Sequence, residues 1–165
     1  MADVTNSRLM NTGTGILKKN ACIVLIKTEW NASIVDQLER GCIALLEKQG
    51  VQKIIVLTVP GAFEIPYGIM HYWENTPKKK RPDAFIALGC VIRGETAHFD
   101  YVCKAVTDGI LNLNLRLPVP TLFGVLTVNN EQQATERIGG KQGHKGEEVA
   151  VAAIKMIAYS NSLKK

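Results

Sequence analysis

Four short apolar runs, at residues 21–26, 54–59, 84–91 and 121–127, alternate with longer stretches whose apolar residues recur at helical spacing. Runs of this length, nearly continuous in hydrophobic character, are expected of parallel strands buried on both faces. Between the first two, Val35, Leu38, Cys42, Leu45 and Leu46 share one face of a helix over 33–49. Asn31 or Ser33 can cap that helix, and Gly50 ends it. A second helix is expected from about Glu64, with Pro66 tolerated in its first turn, and a third over 97–115. Pro118 and Pro120 frame the fourth strand. Two further helices, 131–138 and 147–159, are parted by a glycine-rich link at 139–146. Strands alternating with helices imply the α/β class, with a parallel sheet covered on both faces. Right-handed crossovers narrow the topology to a flavodoxin-like three-layer α/β/α sandwich around a four-stranded parallel sheet.

The chain has 165 residues, 46% hydrophobic and 21% charged, which suits one domain over 19–165 preceded by an arm at 1–18. That arm is expected to be flexible or packed on a neighbouring subunit. A domain of this size buries roughly 70% of its unfolded surface and needs no disulfide or metal to fold. Cys22, Cys42, Cys90 and Cys103 show no paired spacing and read as reduced thiols of a cytoplasmic protein. No apolar run approaches the roughly 20 residues that span a bilayer, so no membrane association is expected. The net charge of +5 is scattered, apart from the pair Lys164 and Lys165 and a cluster of Lys78, Lys79, Lys80 and Arg81 between two prolines. That cluster reads as a solvated loop, and nucleic acid is not an expected partner.

In an open α/β sheet, ligands bind beyond the carboxyl ends of the strands. Those ends are 27–31, 59–64, 90–98 and 127–130. The richest is 90–98, where the third strand passes through Arg93, Gly94, Glu95 and Thr96 to His98 at a helix start. Unpaired backbone N–H groups and the helix dipole make such a turn an anion site. Thr96 also serves as an ordinary cap. His98 reads either as a packed histidine above a core-facing stripe or as a base beside a bound anion, and its first-turn position favours the base. Trp30 and Phe63 are aromatics at two strand ends, able to stack on a planar heterocycle or merely to pack. Glu64 follows Phe63, and Arg137 ends a short helix where a cation is favoured anyway. His71 reads as surface or packing. No cluster has metal-ligand spacing, and no dinucleotide, P-loop or Ser-His-Asp pattern appears.

Taken together, these segments resemble the lumazine synthase family: Glu29, Trp30 and Asn31; VPGAFEIP at 59–66; LGCVIRGETAHFDYV at 88–102; FGVLT at 123–127; ATER at 134–137; and GKQGHKG at 140–146. The long central motif is the most specific. The resemblance implies condensation of 5-amino-6-(D-ribitylamino)uracil with 3,4-dihydroxy-2-butanone 4-phosphate to 6,7-dimethyl-8-ribityllumazine, phosphate and water, with no cofactor. It implies that Trp30, Ala62, Phe63, Glu64, Cys90, Val91, Ile92 and Phe123 hold the pyrimidine. Glu95, Thr96, Arg137 and Lys145 would hold the butanone phosphate, and His98 would move protons. Phe123, Arg137 and Lys145 would come from a neighbouring subunit of a homo-oligomer: a pentamer, or a sixty-subunit shell of twelve pentamers, with riboflavin synthase a candidate partner. The chain departs from the family pattern at Trp30, where phenylalanine is frequent, and at Glu95 and His144. The other readings are a riboflavin synthase of the same fold, and a flavin- or lumazine-binding or shell protein without catalysis.

Overall fold

The computed structural model describes Leu9, Met10 and residues 20–163; apart from Leu9 and Met10, the expected arm at 1–18 lies outside the described residues. Strands β1 (Cys22–Thr28), β2 (Lys53–Val59), β3 (Ala84–Ile92) and β4 (Thr121–Val128) form one sheet in the order β2-β1-β3-β4. Every pairing is parallel. Helices α1 (Ala32–Lys48), α2 (Ile65–Asn75) and α3 (His98–Arg116) follow the first three strands. After β4 come a short helix α4 (Glu131–Thr135) and a terminal helix α5 (Lys145–Ser162).

Helix α1 turns Ile34, Val35, Leu38, Cys42 and Leu46 inward, and α5 adds Val149, Ala150, Ala153, Ile154 and Ile157 to the same apolar cluster. Each large aliphatic buried this way stabilises the fold by roughly 1.5–3 kcal/mol. The opposite face of the sheet is covered by α2 and α3, through Ile65, Ile69, Val106, Ile110 and Leu113 packed on Val24, Ile26, Phe85 and Ala87. The three-layer sandwich expected from the alternating pattern is therefore present, with two cores. Gly50 ends α1 in the left-handed region at φ 85, and Val51 N–H closes back onto the Leu46 carbonyl at 3.0 Å. Pro66 occupies the first turn of α2, and its ring fills the space that a side chain at Gly109 of α3 would need.

The carboxyl-terminal third differs from expectation. The glycine-rich link is an antiparallel hairpin, β5 (Ile138–Gly140) with β6 (Gly143–His144). Gly139 and Gly143 take φ values of 113 and 77, which side-chain-bearing residues rarely adopt. The helix expected over 131–138 stops at Thr135, because the chain must turn into that hairpin. Arg137 consequently sits between helix and hairpin rather than at a helix end, and α5 begins two residues early, at Lys145.

Candidate active site

The sheet order places a topological switch point between β1 and β3: from β1 the chain runs outward to β2 on one side, and β3 flanks the other. A crevice opens at the carboxyl end of such a pair. Here it is a cleft of about 690 Å³, walled by Trp30 and Asn31 after β1, by 61–64 after β2, by 90–92 at the end of β3, and by His98 and Val102 on α3. Eight of the thirteen residues singled out from sequence thus line one cavity: Trp30, Ala62, Phe63, Glu64, Cys90, Val91, Ile92 and His98.

Trp30 is 73% exposed and Phe63 61%, so two aromatic faces stand open instead of packing into a core. The chain entering Trp30 is fixed by Glu29 N–H on the Val59 carbonyl at 3.0 Å and Trp30 N–H on the Pro60 carbonyl at 3.4 Å. Gly61 lies in the notch between them. A Cβ there would stand 3.0 Å from Glu64 Oε2 and 3.4 Å from Trp30 Cδ1, so glycine keeps the carboxylate and the indole edge apart from any intervening side chain.

His98 opens α3 and is exposed, which removes its reading as a packed core residue; the core stripe of α3 starts further along, at Val106. The Thr96 hydroxyl accepts the His98 backbone N–H at 3.4 Å, a local turn that leaves the imidazole at the mouth of the cleft. The loop before it is held by Arg93, whose guanidinium pairs with both Asp100 oxygens at 2.9 and 3.3 Å. Arg93 also donates to Asn129 Oδ1 at 3.2 Å and lies 4.1 Å from the Phe99 ring centroid. Arg93 is thereby committed to shaping the turn. The Glu95 and Thr96 N–H groups have no partner among the described residues, and both residues are exposed. A Cβ at Gly94 would meet open space, so the protein's own packing does not demand glycine at that position.

Burial, with a smaller contribution from Glu131, pushes the Cys90 thiol up to about 11. It stays protonated at neutral pH and acts as an apolar wall, not as a nucleophile. Lys27, at the end of β1, is drawn away from the cleft. Its hydrogen bonds to Glu39 (2.5 Å) and Asp36 (2.9 Å) on α1 hold its ammonium above the ordinary lysine range.

Five of the singled-out residues do not line this cleft. Glu95 and Thr96 lie in the exposed turn just before His98. Phe123 pairs with Ala87 in the middle of edge strand β4. That is five positions before the strand-end pair Ile92–Val128, roughly 16 Å upstream at about 3.3 Å per residue. Arg137 and Lys145 lie where α4, the hairpin and α5 pack, joined through Ala134, Ile138 and Val149 to the α1 side of the sheet. Arg137 donates Nη1 to the Gln133 carbonyl at 2.9 Å, and its buried Nε has no partner. Lys145 is paired with Glu148 at 2.6 Å. The lining residues that sequence reasoning passed over as site residues are Asn31, Gly61 and Val102. The two strand-end motifs contain the first two, and Val102 follows His98 by one turn.

A family model for 6,7-dimethyl-8-ribityllumazine synthase matches residues 20–161. Over 140 residues the chain is 47% identical to the 6,7-dimethyl-8-ribityllumazine synthase of Parabacteroides distasonis, an overlap of 84% of this chain and 85% of that one. The Bacteroides fragilis enzyme of that name is 45% identical over 143 residues, 86% of this chain and 97% of the relative. For the enzyme of Cytophaga hutchinsonii the figures are 47% over 138 residues, 82% and 84%. Helix by helix and strand end by strand end, the matched segment contains the whole sheet and the cleft, and the chain belongs to the 6,7-dimethyl-8-ribityllumazine synthase family, transferases of riboflavin biosynthesis.

Proposed function

We propose that the switch-point cleft joins 5-amino-6-(D-ribitylamino)uracil to 3,4-dihydroxy-2-butanone 4-phosphate, giving 6,7-dimethyl-8-ribityllumazine, phosphate and water. The observation that supports this reading best is the convergence of two open aromatic rings, a carboxylate and an imidazole on one cavity, in a chain of this family. The Trp30 indole stacks on the pyrimidine, Phe63 flanks it, and the Glu64 carboxylate accepts from ribityl hydroxyls. Ala62 and the strand end at Cys90, Val91 and Ile92 supply backbone polar groups and an apolar wall.

The N–H groups of Glu95 and Thr96, just before α3, are suited to the phosphate; this reading requires the Glu95 carboxylate to point away from it, since like charges repel. The amine of the pyrimidine attacks the ketone and one water leaves as the imine forms; phosphate is then eliminated, the resulting enol becomes a ketone, and the second amine adds to it and closes the ring with loss of a second water. Each step moves a proton, and His98 stands at the cleft mouth as acid and base, a role worth roughly 10²–10⁴ in rate. Holding two reactants in one cavity supplies the remaining advantage. Phe123, Arg137 and Lys145 complete the site from a neighbouring copy in a homo-oligomer, a pentamer or a shell of twelve pentamers, with riboflavin synthase as a partner and the arm at 1–18 packed on a neighbour. That incompleteness of the single chain is what favours a shared site. Among the described residues no helix is long and apolar enough to cross a membrane, and the four free thiols suit the cytoplasm.

Purified protein mixed with both substrates is expected to speed the appearance of lumazine fluorescence over the spontaneous reaction. Tight binding of the lumazine without any acceleration would replace this reading with that of a binding or shell protein.

A further inference from the structure

We propose that Asn31 is a positioning residue whose side chain sets the width of the crevice between the ends of β1 and β3, and with it the seat of the pyrimidine ring. The proposal rests on the function given above. Among the described residues Asn31 is the single non-glycine with positive φ, at φ 57 and ψ 42. Asparagine tolerates this conformation better than most residues. The kink turns the chain from β1 into α1, and the Asn31 carbonyl accepts from Ile34 and Val35 N–H at 3.0 Å each.

A cap side chain at this position would ordinarily bond the first turn of its own helix. Asn31 does not. Its Nδ2 reaches across the switch point to the Cys90 carbonyl at 2.8 Å. The regular β1–β3 ladder ends at Lys27–Leu88, and beyond it the two strand ends are no longer paired residue by residue. The Asn31–Cys90 bond therefore rejoins them past the last ladder pair. On one side of it stands Trp30; on the other begins the segment 90–92. A carbonyl oxygen only accepts, so the donor must be the amide nitrogen, and a carboxylate in its place would set two acceptors against each other.

Two substitutions separate the backbone role from the side-chain role. Asn31→Gly adopts positive φ freely and removes the bond; Asn31→Asp keeps the tolerance for that conformation but has no donor. Both are made in a Trp73→Phe background, which leaves Trp30 as the sole tryptophan of two. Losing one neutral hydrogen bond corresponds to roughly a tenfold effect. KM for the pyrimidine substrate is expected to rise by about that factor in both variants, with KM for the butanone phosphate and kcat changing less than about twofold. In the substrate-free protein, Trp30 fluorescence anisotropy is expected to fall. An Asn31→Gly protein that matches its parent in both readouts would reduce Asn31 to a turn former and overturn the proposal. Equal loss for both substrates would overturn it too. If the parent forms no lumazine, the functional reading fails, while Trp30 anisotropy still decides: a fall in both variants supports positioning, and an unchanged value refutes it.

Discussion

The strand-end cleft and the segment that carries Arg137 and Lys145 contrast in almost every physical respect. In the cleft the functional groups are open and idle: Trp30 and Phe63 face solvent, and the Glu95 and Thr96 amides lack partners among the described residues. Around the hairpin the cations are already engaged, Lys145 with Glu148 and Arg137 with the Gln133 carbonyl. One region offers two open aromatic faces, a carboxylate and an imidazole within one chain. The other holds its cations in a closely packed turn, with Arg137 Nε buried and Lys145 paired to Glu148. Under the proposed function a single chain thus contains the pyrimidine half and the proton-transfer group of one site, and the cationic half of the next.

Removing the imidazole tests the self-contained half most severely. His98→Ala should lower kcat by about 10²-fold or more, down to the spontaneous background, while lumazine affinity measured by fluorescence titration stays within about twofold. A loss of affinity as large as the loss of rate would make His98 a binding residue. Arg137→Ala strikes the delivered half. It should weaken the butanone phosphate by about 1.5–3 kcal/mol, the value of a hydrogen bond to a charged group, with little change for the pyrimidine in steady-state KM. Equal weakening of both substrates would erase the division between the two regions.

The smallest effect concerns how the hairpin is seated. The His144 ring occupies the space beside Gly41 of α1, against Gly146 of α5, so a side chain at 41 collides with the ring. Gly41→Ala should cost about 1–3 kcal/mol by overpacking, measured by denaturant unfolding. In a His144→Asn background the same change should cost far less, because the ring has gone. Additive costs would mean that the ring and Gly41 do not share that slot.

Most of the sheet and most of the cleft are legible in the sequence because their signals are local. The apolar runs are strand length, and Trp30, Phe63, Glu64 and His98 sit where those runs end. What escaped was non-local or too short. Asn31 offers itself as a helix cap by sequence, but its amide is claimed by Cys90, on a different strand. The hairpin strands of three and two residues are too brief for any periodicity, and the glycine-rich composition of 139–146 indicated only a link between helices. Helical spacing alone favoured a packed histidine at 98, but the first turn of α3 lines the open cleft and its core stripe begins only at Val106. The slot that seats His144 depends on Gly41, a residue whose own surroundings give no cue to it.

Co-assembly of two inactive variants probes the shared site directly. His98→Ala and Arg137→Ala chains, each impaired alone, are co-expressed with different tags, and mixed oligomers are isolated by tandem affinity steps. Sites that pair an intact His98 with an intact Arg137 from the neighbouring chain should form lumazine at a rate well above the mean of the two parents. Mixed oligomers no more active than that mean would contradict the account and return both residues to one chain.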